Sequence, residues 1–449
     1  MDNQEGANRN ADDPNLKSPA VEPGEDDAAA EDEGMGPLLT SERMIRWGRA
    51  GFIAVLAVWF VTQVLAPGPL DIFGRPMAPD LAGFYVAGRM VSQGRAASLY
   101  DGPVFFEESR HVLGFKDPAG FEFLYPPFVA VLCVPLSWLP FQVLAWLYLM
   151  ASVGLGLGLG WRIGSHYLGE TQEARAACWL FAASPPFLQC ILYGQNGLLT
   201  LAILWEVWRM FADGRPERAS VWMGLGCWKP QLWLPLWGAA VLLWGWRLWP
   251  GVLVIVAMIS LSLPFGMESW VAWLDTVRHH IPDPATLFRQ HSLMNGCELL
   301  GLNTTFARGA SAALLLFWIC VMGRCVWNKL RDTPSDFFNS NRGAIACFAL
   351  LSGVLIIPRV FQYDLVIFYP VMIAAWVTCT GTVRGYRAVM ATLVVIWLGD
   401  TSSLLHIPFL TIAMLAWAVW LGRKLVLSRH ASLLPGSEEC VSGASTIKA

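Results

Sequence analysis

The chain has 449 residues, 55% of them hydrophobic and only 14% charged, with 23 Trp and 24 Phe. A water-soluble fold of this size cannot hide so much apolar and aromatic surface behind so little charge, so a soluble globular protein is excluded. The net charge of −3 is divided: residues 1–37 hold 11 acidic and 2 basic side chains, and the remainder is net positive.

Successive apolar runs of about 17–25 residues, the length that crosses a bilayer, make the chain an all-α polytopic membrane protein. Residues 1–40 are rich in Ala, Pro, Gly, Asp and Glu and poor in large apolar side chains, which predicts a disordered acidic tail. Such a tail is either an interaction segment or a solvated leader. Its acidity is the wrong start for a cleavable signal peptide. Arg43, Arg46 and Arg49 precede the first span, about 45–66, and place the N-terminus in the cytoplasm. The loop 67–123 then lies outside.

Within that loop, Leu81, Phe84, Gly88 and Val91 recur at helical spacing, which predicts a short amphipathic helix on the membrane surface. Pro79 marks its start and puts Asp80 in the first turn, where the helix dipole favours an acid. Dipole capping accounts for Asp80 by itself. The alternative is a general base positioned outside the cytoplasm.

Tyr125-Pro126-Pro127 opens the next apolar stretch, and Leu139-Pro140 divides it into 126–138 and 141–161. The run Gly154 to Gly160 alternates Gly and Leu, giving small-residue spacing for close helix packing. Further spans fall at about 176–192, 197–211, 219–245 and 248–265. The third of these is interrupted at Lys229-Pro230. A second polar loop, 266–308, precedes spans near 309–327, 343–357, 363–379, 388–400 and 405–422. The sum is about 12 transmembrane helices with two long outer loops, a membrane domain over 41–427 and a cytoplasmic tail at 428–449. This count leaves Arg209, Arg215 and Arg218 outside, against the positive-inside rule. A re-entrant 126–138 with a split 219–245 moves them inside at the same total.

Polar residues at span edges need a partner or a wet cavity. Gln195-Asn196 sits in a Gly-flanked turn, as turn chemistry or as a site. Lys229 either snorkels or serves a site, and Asp364 either pairs with the nearby Arg359 or serves a site. His279-His280, Arg289 and His291 crowd the second outer loop, and Asp400 and His406 flank the last outer turn. Adjacent histidines do not share a helix face and no HExxH is present, so no metal site is expected. The ten Cys are scattered, without a CxxC pair, and read as small buried apolar residues. Nothing in the sequence has nucleic-acid-binding character, and no dinucleotide or P-loop motif is present. An outer carboxylate, several cations and an apolar body suit an enzyme acting on a lipid phosphate. A transporter or flippase of a lipid-linked substrate is the alternative.

Asp80-Leu81, Phe84-Tyr85, Ala87-Gly88, Leu99-Tyr100-Asp101 and Phe123-Leu124-Tyr125-Pro126-Pro127 form an ordered series. It continues with Gly194-Gln195-Asn196, Lys229-Pro230-Gln231, Gln290-His291-Ser292-Leu293 and Tyr363-Asp364. In this order the motifs resemble the glycosyltransferase family 87 domain over about 45–420, including its polyprenol-phosphate-mannose-dependent alpha-(1→2) mannosyltransferases. The resemblance implies a GT-C-type fold in a bacterial inner membrane with the site on the non-cytoplasmic face. It further implies a polyprenyl-phosphate sugar donor, a glycolipid or glycan acceptor, and a metal-independent inverting transfer without cofactor. Asp80 matches the catalytic base. Lys229, His291 and Arg359 are the expected donor-phosphate residues. Tyr85, Tyr125, Gln195, Asn196, Tyr363 and Asp364 are the expected substrate-binding residues.

Overall fold

The computed structural model describes residues 40–65, 68–114, 122–279, 290–331, 336–357, 360–373 and 408–427. Both tails lie outside these residues, as do the expected span 388–400 and parts of those at 363–379 and 405–422. Among the described residues all regular structure is helical, apart from isolated bridges Leu70–Pro76 and Gln290–Phe361.

Helix α1, Ser41–Val64, is capped by Thr40, whose hydroxyl accepts from the Arg43 amide. Its exposed Val58, Phe60 and Val61 suit contact with lipid tails rather than water. The first polar loop folds into α2, Pro79–Ser92, and α3, Gly102–Leu113. Pro at the start of α2 has its preset φ and no amide left unpaired there. Asp101 caps α3 through the Val104 amide.

The short α4, Pro127–Leu132, continues as a 3-10 turn to Trp138 and stops at Pro140. Helix α5 is Phe141–Leu168, and α6, Gln172–Ala182, bends by 51° into α7, Pro185–Tyr193. Helix α8, Gly197–Ala212, and α9, Pro216–Leu225, precede the break at Trp228-Lys229. Then follow α10, Pro230–Trp244, α11, Trp249–Ser260, and α12, Gly266–His279. The described part closes with α13, Leu293–Leu299, α14, Thr304–Arg331, α15, Asp336–Ile356, the 3-10 segment Gln362–Phe368, and α16, Phe409–Leu427.

Four stretches of the described residues are long and apolar enough to cross a membrane, or five if the bent α6–α7 pair is one span. The chain is therefore an all-helical membrane protein. Three of the twelve expected spans lie wholly or partly outside the described residues. Within those residues, breaks at Pro140, Pro185 and Pro230 divide apolar runs into helices that reach across a core of about 30 Å only in combination. The candidate run Pro230–His279 would reach roughly 75 Å as one helix, at about 1.5 Å per residue. It turns instead at Gly245 and Gly266, which take φ of 58° and 73°.

Helix α2 is not the surface helix expected from its spacing. Leu81, Ala82, Phe84, Tyr85, Val86, Ala87, Gly88 and Met90 are all buried, so protein surrounds it on nearly every side. The small residues are what permit this. A Cβ on Gly88 would lie 2.2 Å from the Cys133 carbonyl oxygen, so α2 rests directly on backbone. With Phe105, Phe123, Phe128, Phe141 and Leu144 it forms a second apolar core, separate from the main one built by α5 to α10 and α14 to α16.

In α5 the Gly/Leu run divides by face. Gly156 lies against Phe187 and Gly160 against Phe181 and Cys178, whereas Gly154 and Gly158 face open space. The inner pair lets α6 and α7 approach closely.

Candidate functional site

Asp80 enters the site from the first turn of α2, held there by an exact fit behind it. Gly194 closes α7 with φ of 73°, and a Cβ there would lie 2.6 Å from Leu81 Cβ. Only a glycine tolerates both the left-handed backbone and that approach. The turn after α7 thereby sits against the start of α2 and presents Gln195 to Asp80.

Gln195 is buried and fully engaged. Its side chain hydrogen-bonds Asp80, its amide oxygen accepts from the Tyr125 hydroxyl at a long 3.4 Å, and its backbone carbonyl accepts from the Tyr148 hydroxyl at 2.6 Å. The Tyr125 ring in turn packs at a tilt against Phe84 and Phe123, and its own carbonyl accepts from Tyr100 at 2.7 Å. Asn196 is half-buried, and its side-chain oxygen has no partner among the described residues.

Lys229 comes from the break before α10, where Pro230 has no amide to offer and the chain changes direction. Its ammonium lies 2.6 Å from an Asp364 carboxylate oxygen, with the two side chains 3% and 9% exposed. It also lies over the Tyr363 ring, 5.4 Å from the centroid. The sequence offered Asp364 either the nearby Arg359 as a partner or a place in a site. The structure pairs it with Lys229, 135 residues away. Arg359 lies outside the described residues, as do His280, Arg289, Asp400 and His406.

The Asp80 carboxyl is half-buried. Desolvation pushes its pKa up to about 6, against the hydrogen bond from Gln195 and the attraction of Lys229, which pull it down. Asp364 adds to the upward push as a like charge. The carboxyl is thus poised near neutrality, ionised at pH 7 and still basic, which is the condition for accepting a proton in catalysis.

A further set of polar contacts includes Gln189 and Gln362, which stand in none of the sequence motifs, and Gln290, which stands in one without an expected partner. The Gln189 amide donates to Gln362, Asn295 donates to Gln290 at 2.8 Å, and the His291 backbone amide donates to the Val360 carbonyl at 2.8 Å. The bridge between Gln290 and Phe361 joins the second polar loop to the segment that carries Tyr363 and Asp364. Gln189 and Gln362 were detectable as amides beside apolar residues. Nothing in the sequence said that they meet, 173 residues apart.

Two expected residues sit differently from the rest. The Tyr85 hydroxyl donates to the Leu139 carbonyl at 3.1 Å and its ring packs on Phe141, so it is tied into the second core. His291 is 1% exposed, its Nε2 has no partner among the described residues, and burial pushes its pKa down to about 4. It therefore stands at pH 7 as a neutral imidazole rather than as the cation expected for a phosphate. Among the described residues no group of three or more His, Cys, Asp or Glu side chains could hold a metal ion.

The model of glycosyltransferase family 87 matches residues 123–358, more than half of the chain, and the chain belongs to that family. No curated protein and no solved structure matches it. Tyr125, Gln195, Asn196, Lys229 and His291 fall inside the matched residues. Asp80 and Tyr363-Asp364 fall outside, joined to them by the contacts to Gln195 and Lys229.

Proposed function

We propose that this family 87 membrane glycosyltransferase moves a hexosyl unit, mannosyl by family resemblance, from a polyprenyl phosphate to a glycolipid or glycan acceptor. The observation that carries the proposal is the meeting of Asp80, Gln195, Lys229 and Asp364. They come from four separate stretches of chain, and the one carboxylate among them without a salt bridge is held close to neutral pKa. The proposed arrangement is GT-C-type, with about 12 crossings in an inner membrane, the site on the outer face and both termini inside.

In the proposed step the acceptor hydroxyl gives its proton to Asp80 as its oxygen attacks the anomeric carbon. The bond from that carbon to the phosphate oxygen breaks, its electrons leave with the polyprenyl phosphate, and configuration inverts. Gln195 orients the carboxylate. Lys229 supplies positive charge for the departing phosphate, and Asp364 with the Tyr363 face fixes where that charge stands. With Asp80 ionised these three charged groups sum to one negative charge, so the phosphate needs further cations. Arg359 is the nominated one. His291 serves as a neutral hydrogen-bond donor.

The test is transfer by purified protein in detergent, wild type beside Asp80→Asn, offered a panel of radiolabelled polyprenyl-phosphate sugars and endogenous lipid. Label entering a new glycolipid with wild type alone is the expected result. Equal transfer by both proteins would remove Asp80 as the base and leave the transferase standing. Transport of a lipid-linked sugar across vesicles without transfer would replace the enzyme reading.

A further inference from the structure

The second polar loop opens with α12, and this helix has three faces of different chemistry. Counted at about 100° per residue, Met267, Val271 and Leu274 fall within about 60° of one another, with Val277 at their edge. Beside that stripe Glu268, Asp275 and His279 fall within about 40°, the last two paired at 3.0 Å. Both stripes are exposed, and the four apolar residues are between 43% and 70% accessible. The third face packs on protein. Ser269 is buried, the Trp270 ring lies 6.3 Å from that of Phe128, and the Trp273 indole donates to the Leu124 carbonyl at 3.0 Å.

Both exposed stripes run the length of the helix. A helix passing from lipid into water would be apolar at one end and polar at the other. Apolar beside polar from end to end is the pattern of a helix lying along the boundary, one stripe among acyl chains and one in water. Arg278, at the C-terminal end of the apolar stripe, has the reach to carry its charge out to the headgroups.

Chain length puts α12 at that boundary independently. Arg247 pairs with Glu217 at 2.6 Å, at the end of α10 away from Lys229. From there α11 returns beside α9, with Gly251 on Ser220 and Val254 on Gly224, as far as Met258, which packs on the second core as Trp228 does. The 12 residues of α11 rise about 18 Å, and the tight turns of Leu261–Phe265 add about 10 Å. Together they match a hydrocarbon core of about 30 Å, and there Gly266, at φ of 73°, turns the chain. The apolar stripe also follows directly on the exposed Val252, Val256 and Ile259 of α11, within one apolar stretch long enough to cross a membrane.

We propose that α12 is an interfacial helix, with the Met267, Val271, Leu274 and Val277 stripe seated among the acyl chains of the bilayer on the Lys229 side. The partner of this face is the lipid surface, and the start of a loop that reads as aqueous in the sequence is held in the membrane. Through Trp273 the seated helix also holds the strip that carries Tyr125, whose hydroxyl reaches Gln195. The proposal depends on the membrane and not on the transferase reading.

Photocrosslinking tests it residue by residue. The full-length protein is reconstituted in phosphatidylcholine vesicles carrying a trace of tritiated phosphatidylcholine, with p-benzoylphenylalanine placed singly at Val271, Leu274, Asp275, His279 or Val256. Val256 of α11 is the acyl-facing reference. After irradiation, lipid label on the protein is expected to be within about twofold of that reference at Val271 and Leu274. At Asp275 and His279 it is expected to be at least fivefold lower. All of these positions are exposed, and Met267 takes the place of Val271 or Leu274 if either variant does not fold. Equal label on the two stripes would overturn the proposal. So would crosslinking of Val271 and Leu274 to protein in place of lipid, whether within the chain or to a second copy.

Discussion

Replacing Lys229 by Met isolates what the buried ion pair does for the fold. The side chains of Lys229 and Asp364 are 3% and 9% exposed and meet at 2.6 Å, so removal of the cation strands a carboxylate away from water. Breaking a buried pair from one side costs roughly 3–5 kcal/mol, whereas replacing both partners by apolar groups is often close to neutral. Lys229→Met and Asp364→Leu should therefore each destabilise by about 3–5 kcal/mol, and the double variant by about 1 kcal/mol or less. Unfolding in detergent, followed through the fluorescence of the 23 Trp, measures all four corners of the cycle. Singles within about 1 kcal/mol of wild type, or a double variant equal to their sum, would refute the pairing. The double variant should be folded and inactive, which separates the pair's part in the fold from its part in transfer.

Other expectations follow from the same geometry. With Asp80 raised to about 6, transfer should fall as pH drops through 6, and Gln195→Leu should move that midpoint upward by removing the hydrogen bond that lowers it. For stability the sign is opposite: because the folded pKa exceeds the ordinary 3.8, this group's contribution is fully present below 3.8 and is lost as pH rises through about 6. Comparing unfolding of wild type and Asp80→Asn between pH 4 and 8 should show that difference. His291→Gln, which keeps a neutral donor, should retain transfer better than His291→Leu in the same assay. Gly88→Ala should destabilise by about 1–3 kcal/mol, because the new methyl meets the Cys133 carbonyl. Gly158→Ala, facing open space, should change unfolding little.

What could be read in the sequence is what proline, glycine and hydropathy write locally. The ends at Pro140 and Pro230, the turn at Gly194, the start of α2 at Pro79 and the packing role of the Gly156–Gly160 face were all legible. Hydropathy could not separate a crossing from an apolar segment broken midway, so the bend at Ser184-Pro185 was absorbed into one span. Helical spacing gave α2 an apolar face but not its burial on the other side, where Ala82, Val86 and Ala87 also pack inside. The site residues stood out because a lysine, an aspartate or a glutamine is costly in apolar surroundings. Who pairs with whom was not legible. Asp364 had an arginine five positions earlier to suggest itself, and its partner lay 135 residues away.

That separation has a consequence for how the protein is made. At about 5–20 residues per second, roughly 7–27 s pass between synthesis of Lys229 and of Asp364. Over that interval the lysine lacks its salt-bridge partner, Asp80 is the one carboxylate of the site already made, and the ribosome-bound intermediate holds an unpaired charge at the break before α10. Water, lipid headgroups or the insertion machinery must shelter it. Completion of the site and completion of the fold are then one event in biosynthesis.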